Sequence, residues 1–206
     1  MKALHQEKGR KAKTGKISVE QILGTAVTIF MKKGYLGTSV REIADRMGVK
    51  AGSLYYHIQS KEEILIRIHD VLIDHLLEES EKIVANDTID ARKKFELFAT
   101  ELLRVMGELR PYAVVFFRDY RFLPASEFKK INRKRKRYQE LLHKIIKQGI
   151  KEGEFRKVDT KIIRLGVFGM FLWAHTWLEP KGRLEIKKIA EAFSDVVLNG
   201  IGAGNR

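Results

Sequence analysis

Residues Thr38–Lys61 read TSVREIADRMGVKAGSLYYHIQSK, and the fold turns on this stretch. Two short helices are separated by Met47-Gly48-Val49-Lys50. Ser39 is placed to cap the first, with Glu42 three residues on as in a capping box. Val40, Ile43, Ala44 and Met47 recur at three- and four-residue spacing and form its inward stripe. The second helix, predicted over roughly 51–57, turns Leu54 and Ile58 inward. A short glycine-containing turn is how a helix-turn-helix sets its second helix across the first. The opposite face then carries Ala51, Gly52, Ser53, Tyr55, Tyr56 and His57. Small residues at its front allow close approach to base edges, and the hydroxyls and imidazole behind can reach phosphates or bases. On the pattern alone the tyrosine pair fits either a groove-reading surface or half-buried packing.

Upstream, Ser18 and Gln21 form another capping-box pair. They open a helix whose Ile22, Ala26, Ile29 and Phe30 share one face, and Gly34 suits its stop. Downstream, Ser60 and Glu63 open a long helix over 61–85, and Asn86-Asp87-Thr88 punctuates the chain. Further helices are predicted over about 89–109, 111–120, 124–152 (stopped by Gly153), 159–178 and 184–199. No segment alternates cleanly with period two. The expected fold class is all-α: a basic arm over 1–16, a three-helix helix-turn-helix head over 17–65, and a six-helix part over 66–206.

The balance of charge is strongly basic, 40 Lys+Arg against 26 Asp+Glu in 206 residues, a formal +14. Such an excess favours a polyanionic partner, either nucleic acid or an anionic membrane surface. With no cysteine, disulfide scaffolds, thiol catalysis and cysteine zinc sites are excluded. The opening residues MKALHQEKGRKAKTGK lack the apolar stretch of a signal peptide. The apolar run Ile162–Leu178 contains Arg164, two glycines and His175, and falls short of the ~20 residues of a membrane span. The cytoplasm is therefore the expected location. There is no P-loop, dinucleotide fingerprint or HExxH. The histidines at 5, 57, 69, 75, 143 and 175 are scattered, and His69 and His75 do not share a helix face as i,i+4 zinc ligands do. No enzyme, metal site or cofactor is expected.

From Ile22 to Lys61 the sequence resembles the DNA-binding head of the TetR repressors. The matching pieces are A-x-x-x-F at Ala26–Phe30, KGY at Lys33–Tyr35, TSVREIADRMGV at Thr38–Val49 and KAGSLYYHIQSKEEIL at Lys50–Leu65. The resemblance implies a ligand-controlled repressor that binds a palindromic duplex operator as a homodimer. It implies that Thr38 and Lys61 contact phosphates, and that Lys50, Ala51, Gly52, Ser53, Tyr55, Tyr56 and His57 face the major groove or its flanking backbone. The arm, notably Arg10, Lys11, Lys13 and Lys16, either follows the DNA or is a solvated tail. The family dimerises through its last two helices. The residues agree: Ile162–Leu178 is apolar nearly all round, Ile186, Ile189, Ala190, Phe193, Val196 and Val197 form a broad stripe, and Gly166 and Gly169 permit close approach.

Most of the large apolar residues between Phe95 and Trp177 read as core. The helix after Pro124 has an inward stripe at Phe128, Ile131, Tyr138, Leu142 and Ile145, and Arg135 falls on it. Arg135 sits inside the run Lys129–Arg137, which also reads as a solvated helix face. An arginine directed to an apolar interior needs an anion, supplied by Asp119 or by a phosphate or carboxylate of a ligand. The second half is more faintly similar to TetR-type repressors of fatty-acid degradation that respond to acyl-CoA. The similarity lies in FFRDY at Phe116–Tyr120, the basic helix, and FLWAHTWLEPKG at Phe171–Gly182. It implies an acyl tail among Met106, Phe117, Tyr120, Phe168 and Trp173, with phosphates on Arg133, Arg135 and Arg137. The alternative is a TetR-type regulator of drug efflux responding to another hydrophobic ligand. A sequence-indifferent architectural DNA protein would explain the charge but not the large apolar second half.

Overall fold

The first helix, α1 (Val19–Lys33), begins with both halves of its capping box closed. The Ser18 hydroxyl accepts from the Gln21 N–H at 3.2 Å, and the Gln21 side chain accepts from the Ser18 N–H at 3.0 Å. The structure, a computed structural model, describes residues 17–179 and 185–202. The predicted basic arm over 1–16 lies outside the described residues. In α2 (Val40–Met47) only half of the expected box forms: Ser39 caps Glu42, but the Glu42 carboxylate turns away to pair with Lys33 and ties α2 to the end of α1.

Gly48 ends α2 at φ 71°, a left-handed conformation in which a side chain would be strained. The amides of Gly48 and Val49 reach back to Asp45 and Ala44 at 3.1 and 3.0 Å, as in the glycine-ended helix stops. The following α3 (Ala51–Tyr55) is shorter than predicted. Its last turn is given up as the His57 and Ile58 amides close back on the Leu54 carbonyl, which turns the chain and buries Ile58. Ser60 then caps the long α4 (Lys61–Ala85).

The remaining helices are α5 (Ala91–Glu108), α6 (Arg110–Asp119), α7 (Ala125–Glu152), α8 (Thr160–Leu172) and α9 (Ile186–Ile201). A 3-10 turn at Tyr120–Phe122 follows α6, and another at Trp173–Thr176 follows α8. The second turn replaces the last part of the single helix predicted to Leu178. There the Ala174 carbonyl accepts from the Trp177 amide three residues on, at 3.1 Å, the short backbone spacing of a 3-10 turn. Among the described residues the chain is helical, with one isolated bridge from Phe155 to Gly202.

Two long helices, α4 and α7, run side by side in the same direction. Lys134 of α7 bridges Asp70 and Asp74 of α4 at 2.5 and 2.9 Å, and Arg137 pairs with Glu81 at 2.6 Å. Part of the basic run is thus matched by an acidic row on a helix some sixty residues earlier. Between them lies an aliphatic and aromatic core that includes Ile68 and Leu72 of α4, Phe95 and Leu102 of α5, and Leu142 and Ile145 of α7, all fully buried. Each such side chain contributes about 1.5–3 kcal/mol on leaving water. Phe128, predicted to face inward, is exposed, because it lies one turn beyond the edge of this core.

Two contacts fix the corners. Lys94 is 2% exposed, and its ammonium donates to the Val84 carbonyl and the Gln148 amide oxygen, both at 3.0 Å. It thereby closes the last turn of α4. Gly149 lies where a Cβ would stand 2.2 Å from the Phe155 ring, so α7 approaches the following loop closely only because no side chain intervenes. Among the described residues no helix is long and apolar enough to cross a membrane.

Candidate nucleic-acid interface

Leu54 and Ile58 anchor α3 from below, at 0% and 1% exposure. The rest of the short helix therefore faces solvent. Gly52 and Ser53 are exposed, Ala51 and His57 are half-buried, and Lys50 at the helix start is exposed. Tyr55 is 54% and Tyr56 85% exposed, and the Tyr56 ring meets His57 edge-on at 5.1 Å. Large aromatic rings held out in water by a rigid anchor form a polar-tipped surface suited to the floor and phosphate walls of a groove. The outer side of α2 adds Arg41 and Arg46, both exposed. Sequence reasoning passed over these two, although their positions opposite Val40, Ile43 and Ala44 signal an outward cationic face.

Two predicted phosphate contacts sit differently. Thr38 is 3% exposed; its hydroxyl donates to the Gly34 carbonyl at 2.9 Å and its amide to the Tyr35 carbonyl at 3.3 Å. It braces the turn between α1 and α2 and offers no free donor. Lys61 donates to the Tyr35 and Thr38 carbonyls at 3.0 and 2.8 Å and lies 4.3 Å over the Tyr35 ring. One of its three N–H groups remains for an anion.

The same turn is tied to α6. Arg118 donates to the Phe30 and Met31 carbonyls at the end of α1, at 2.5 and 3.0 Å. Its guanidinium is also held by Asp119, at 3.0 and 2.7 Å, and Asp119 is 2% exposed. Tyr35 stacks on Phe122 at 5.5 Å. Sequence reasoning missed this junction: Arg118 entered only as a letter of FFRDY, and Asp119 only as a candidate partner for Arg135.

Behind the junction, Phe116 of α6 is flanked by the His69 ring at 5.1 Å and the Arg135 guanidinium at 5.4 Å. His69 is fully buried. Its Nδ1 lies 2.8 Å from the Leu65 carbonyl, which only accepts, so Nδ1 carries the proton and Nε2 is left as an unpartnered acceptor. Burial pushes the His69 pKa down and keeps the ring neutral. Arg135 is half-buried and its pKa is lowered by desolvation. Asp119 does not neutralise it, because that carboxylate is taken by Arg118. Among the described residues Arg135 has no carboxylate within ion-pair distance.

The predicted ligand set does not assemble as drawn. Arg133 and Arg137 point to solvent, and Arg137 is paired with Glu81. Residues two apart on a helix stand about 200° apart, so Arg135 alone turns inward. Met106 is fully buried core, and Phe168 packs against Tyr138 at 5.7 Å. Phe117 packs on His175 at 4.7 Å, and Tyr120 sits half-open beside Phe128 at 6.3 Å. Trp173 is 64% exposed on the outer side of the bundle. There it joins Ile162, Leu165 and Val196, and at Gly166 and Gly169 an added Cβ would meet open space.

Comparison with known proteins agrees with this arrangement. Residues 22–68 match the family of bacterial regulatory proteins of the tetR type, and residues 88–201 match the tetracyclin repressor-like C-terminal domain. The HTH-type transcriptional repressor KstR2 of Rhodococcus jostii is 27% identical over 183 residues, covering 88% of this chain and 89% of that one. The TetR family transcriptional regulator PfmR of Thermus thermophilus superposes with a TM-score of 0.81 at 30% identity, covering 86% of this chain and 97% of its own. AibR, in complex with isovaleryl coenzyme A and operator DNA, superposes with a TM-score of 0.76 at 26% identity, covering 86% and 96%.

Proposed function

This chain belongs to the TetR family of transcriptional regulators, and on that premise we propose that it represses transcription in the cytoplasm as a homodimer released from its operator by an amphiphilic effector. The observation that carries the DNA-binding reading is α3, with Leu54 and Ile58 fixed in the core and Tyr55 and Tyr56 held out in water. Two such helices, one per subunit, read half-sites about 34 Å apart or a multiple of that. Residues 17–65 form the reading head and 66–206 the effector and dimer domain. The open apolar face of α8 and α9, with Ile162, Leu165, Trp173 and Val196, is the surface that a second copy covers.

The effector is best assigned as an acyl-CoA. AibR binds isovaleryl coenzyme A and operator DNA, and in this chain an unpaired, desolvated Arg135 lies at the edge of an aromatic core. The ligand shifts the equilibrium only by its differential affinity for the two states. A 100-fold loss of operator affinity needs about 2.7 kcal/mol of coupling. The test is an anisotropy titration on a duplex selected from random DNA. The selected site is expected to bind roughly 10³-fold more tightly than random competitor, and long-chain acyl-CoA is expected to release it. Equal affinity for random DNA overturns the repressor reading. Release by free acids or cationic drugs, but not by acyl-CoA, overturns the effector assignment.

A further inference from the structure

Deep in the bundle, two hydroxyls lie buried without a hydrogen-bond partner. Ser80 of α4 is fully buried and Tyr138 of α7 is 4% exposed, yet neither oxygen has a partner within the protein. The two hydroxyls face each other across α4 and α7 without reaching hydrogen-bond geometry. A buried polar group left unpaired is destabilising, and native chains retain few of them. The neighbouring carboxylate does not answer for them, because Glu101 is engaged by Arg104 at 2.6 Å. Around the pair the walls are flat and apolar: Phe98 stacks on Tyr138 at 5.1 Å, and Phe168 lies at 5.7 Å.

The pair is also aligned with a cation. Arg135 stands one helical turn before Tyr138, so the two share a face of α7. Arg135 is half-buried, its guanidinium 5.4 Å from the Phe116 ring, and it reaches partway to solvent. An amphiphile whose anion meets Arg135 extends its apolar body past Phe98 and Phe168, and the orphan hydroxyls are the polar groups it meets there. A plain saturated chain leaves both unpaired. A body that carries a hydroxyl or carbonyl pairs them, and sites built this way discriminate steeply against the analogue that lacks the oxygen.

We propose that Tyr138 and Ser80 form an interior hydrogen-bonding subsite, and that the effector carries a hydroxyl or carbonyl oxygen on its apolar body that is received there. This rests on the reading of the protein as a regulator released by an amphiphile, and it narrows the class of that amphiphile.

The full chain bound to its operator duplex is titrated with dodecanoyl-CoA and with its 3-hydroxy, 3-oxo and 12-hydroxy counterparts, and in parallel with the four free acids. Release is followed by anisotropy. At least one oxygenated member is expected to act at about one-tenth the concentration of the unsubstituted member of its series. Tyr138→Phe combined with Ser80→Ala is expected to remove that advantage, while operator affinity without effector holds. If no oxygenated member is favoured, or if the advantage survives in the double variant, the proposal is overturned and the pair holds a buried water only. Release by the acids but not the thioesters overturns the coenzyme A assignment, and the subsite is then judged on the acid series. Release by neither series overturns both.

Discussion

Replacing Arg118 by alanine separates α6 from the end of α1 and leaves Asp119 without its partner. Two charged hydrogen bonds to the Phe30 and Met31 carbonyls are lost, each worth about 1.5–3 kcal/mol. The carboxylate at 2% exposure is orphaned at the same time. Breaking a buried pair from one side destabilises by about 3–5 kcal/mol. The guanidinium is 37% exposed, and water screens part of this, so the total is set near the lower end, about 3 kcal/mol. Within a stability of about 5–15 kcal/mol the variant still folds. Converting both partners, Arg118→Met with Asp119→Leu, removes the orphaned carboxylate but not the two lost carbonyl bonds, and is expected to be more stable than the single variant by about 1 kcal/mol or more while remaining below the parent. Urea unfolding followed by circular dichroism, at one fixed protein concentration, measures all three chains. A loss below about 1 kcal/mol in the single variant refutes the claim that Arg118 neutralises Asp119. A double variant as weak as the single refutes the claim that the orphaned carboxylate is the cause.

Tyr56→Ala is expected to weaken operator binding by about 1–3 kcal/mol while shifting stability by no more than about 0.5 kcal/mol, as anisotropy and thermal unfolding will show; an unchanged affinity removes Tyr56 from the reading surface. Burial depresses the pKa of His69, which is faced by Asp119 from α6 and Arg135 from α7. Its contribution to stability is therefore fully present above about pH 6.5, the unfolded value, and is lost as pH falls toward the lower folded value. His69→Leu is expected to flatten this part of the pH–stability curve, and an unaltered slope would show that His69 is not its source. Gly149→Ala forces a methyl against Phe155, where only 2.2 Å is available to the Cβ. A loss of about 1–3 kcal/mol is expected, read as a lower urea midpoint with an unchanged m-value.

Helix starts and stops were the most legible part of the chain because their chemistry is local. Ser18, Ser39 and Ser60 each cap the helix their spacing announced, and Gly48 and Gly153 end theirs. The tyrosines were half legible: Leu54 and Ile58 going inward turns Tyr55 and Tyr56 the other way, but the pattern fits half-buried packing equally, and only the structure exposes both rings. Contacts between distant segments were not. Nothing near Lys134 announces Asp70 and Asp74, which meet it only when α4 and α7 lie side by side. The grouping of Arg133, Arg135 and Arg137 failed for a reason the sequence already contained, since alternate positions on a helix cannot share a face. The bracing roles of Thr38 and Lys61 were not legible, because a hydroxyl or ammonium bonds whichever carbonyl the fold brings near, and both found those of the α1–α2 turn.

The corner where α4 gives way to α5 contains its own stopwatch. Lys94 is an amine sealed from water and bound to Val84 and Gln148. A reagent that methylates or acylates amines reaches the exposed lysines of α7 at once, but it reaches this nitrogen only during the intervals when the corner comes apart. The rate at which Lys94 acquires a label, resolved by mass spectrometry, therefore counts those openings one by one. Whether it slows or quickens on adding operator or effector reports which partner steadies the far end of the bundle.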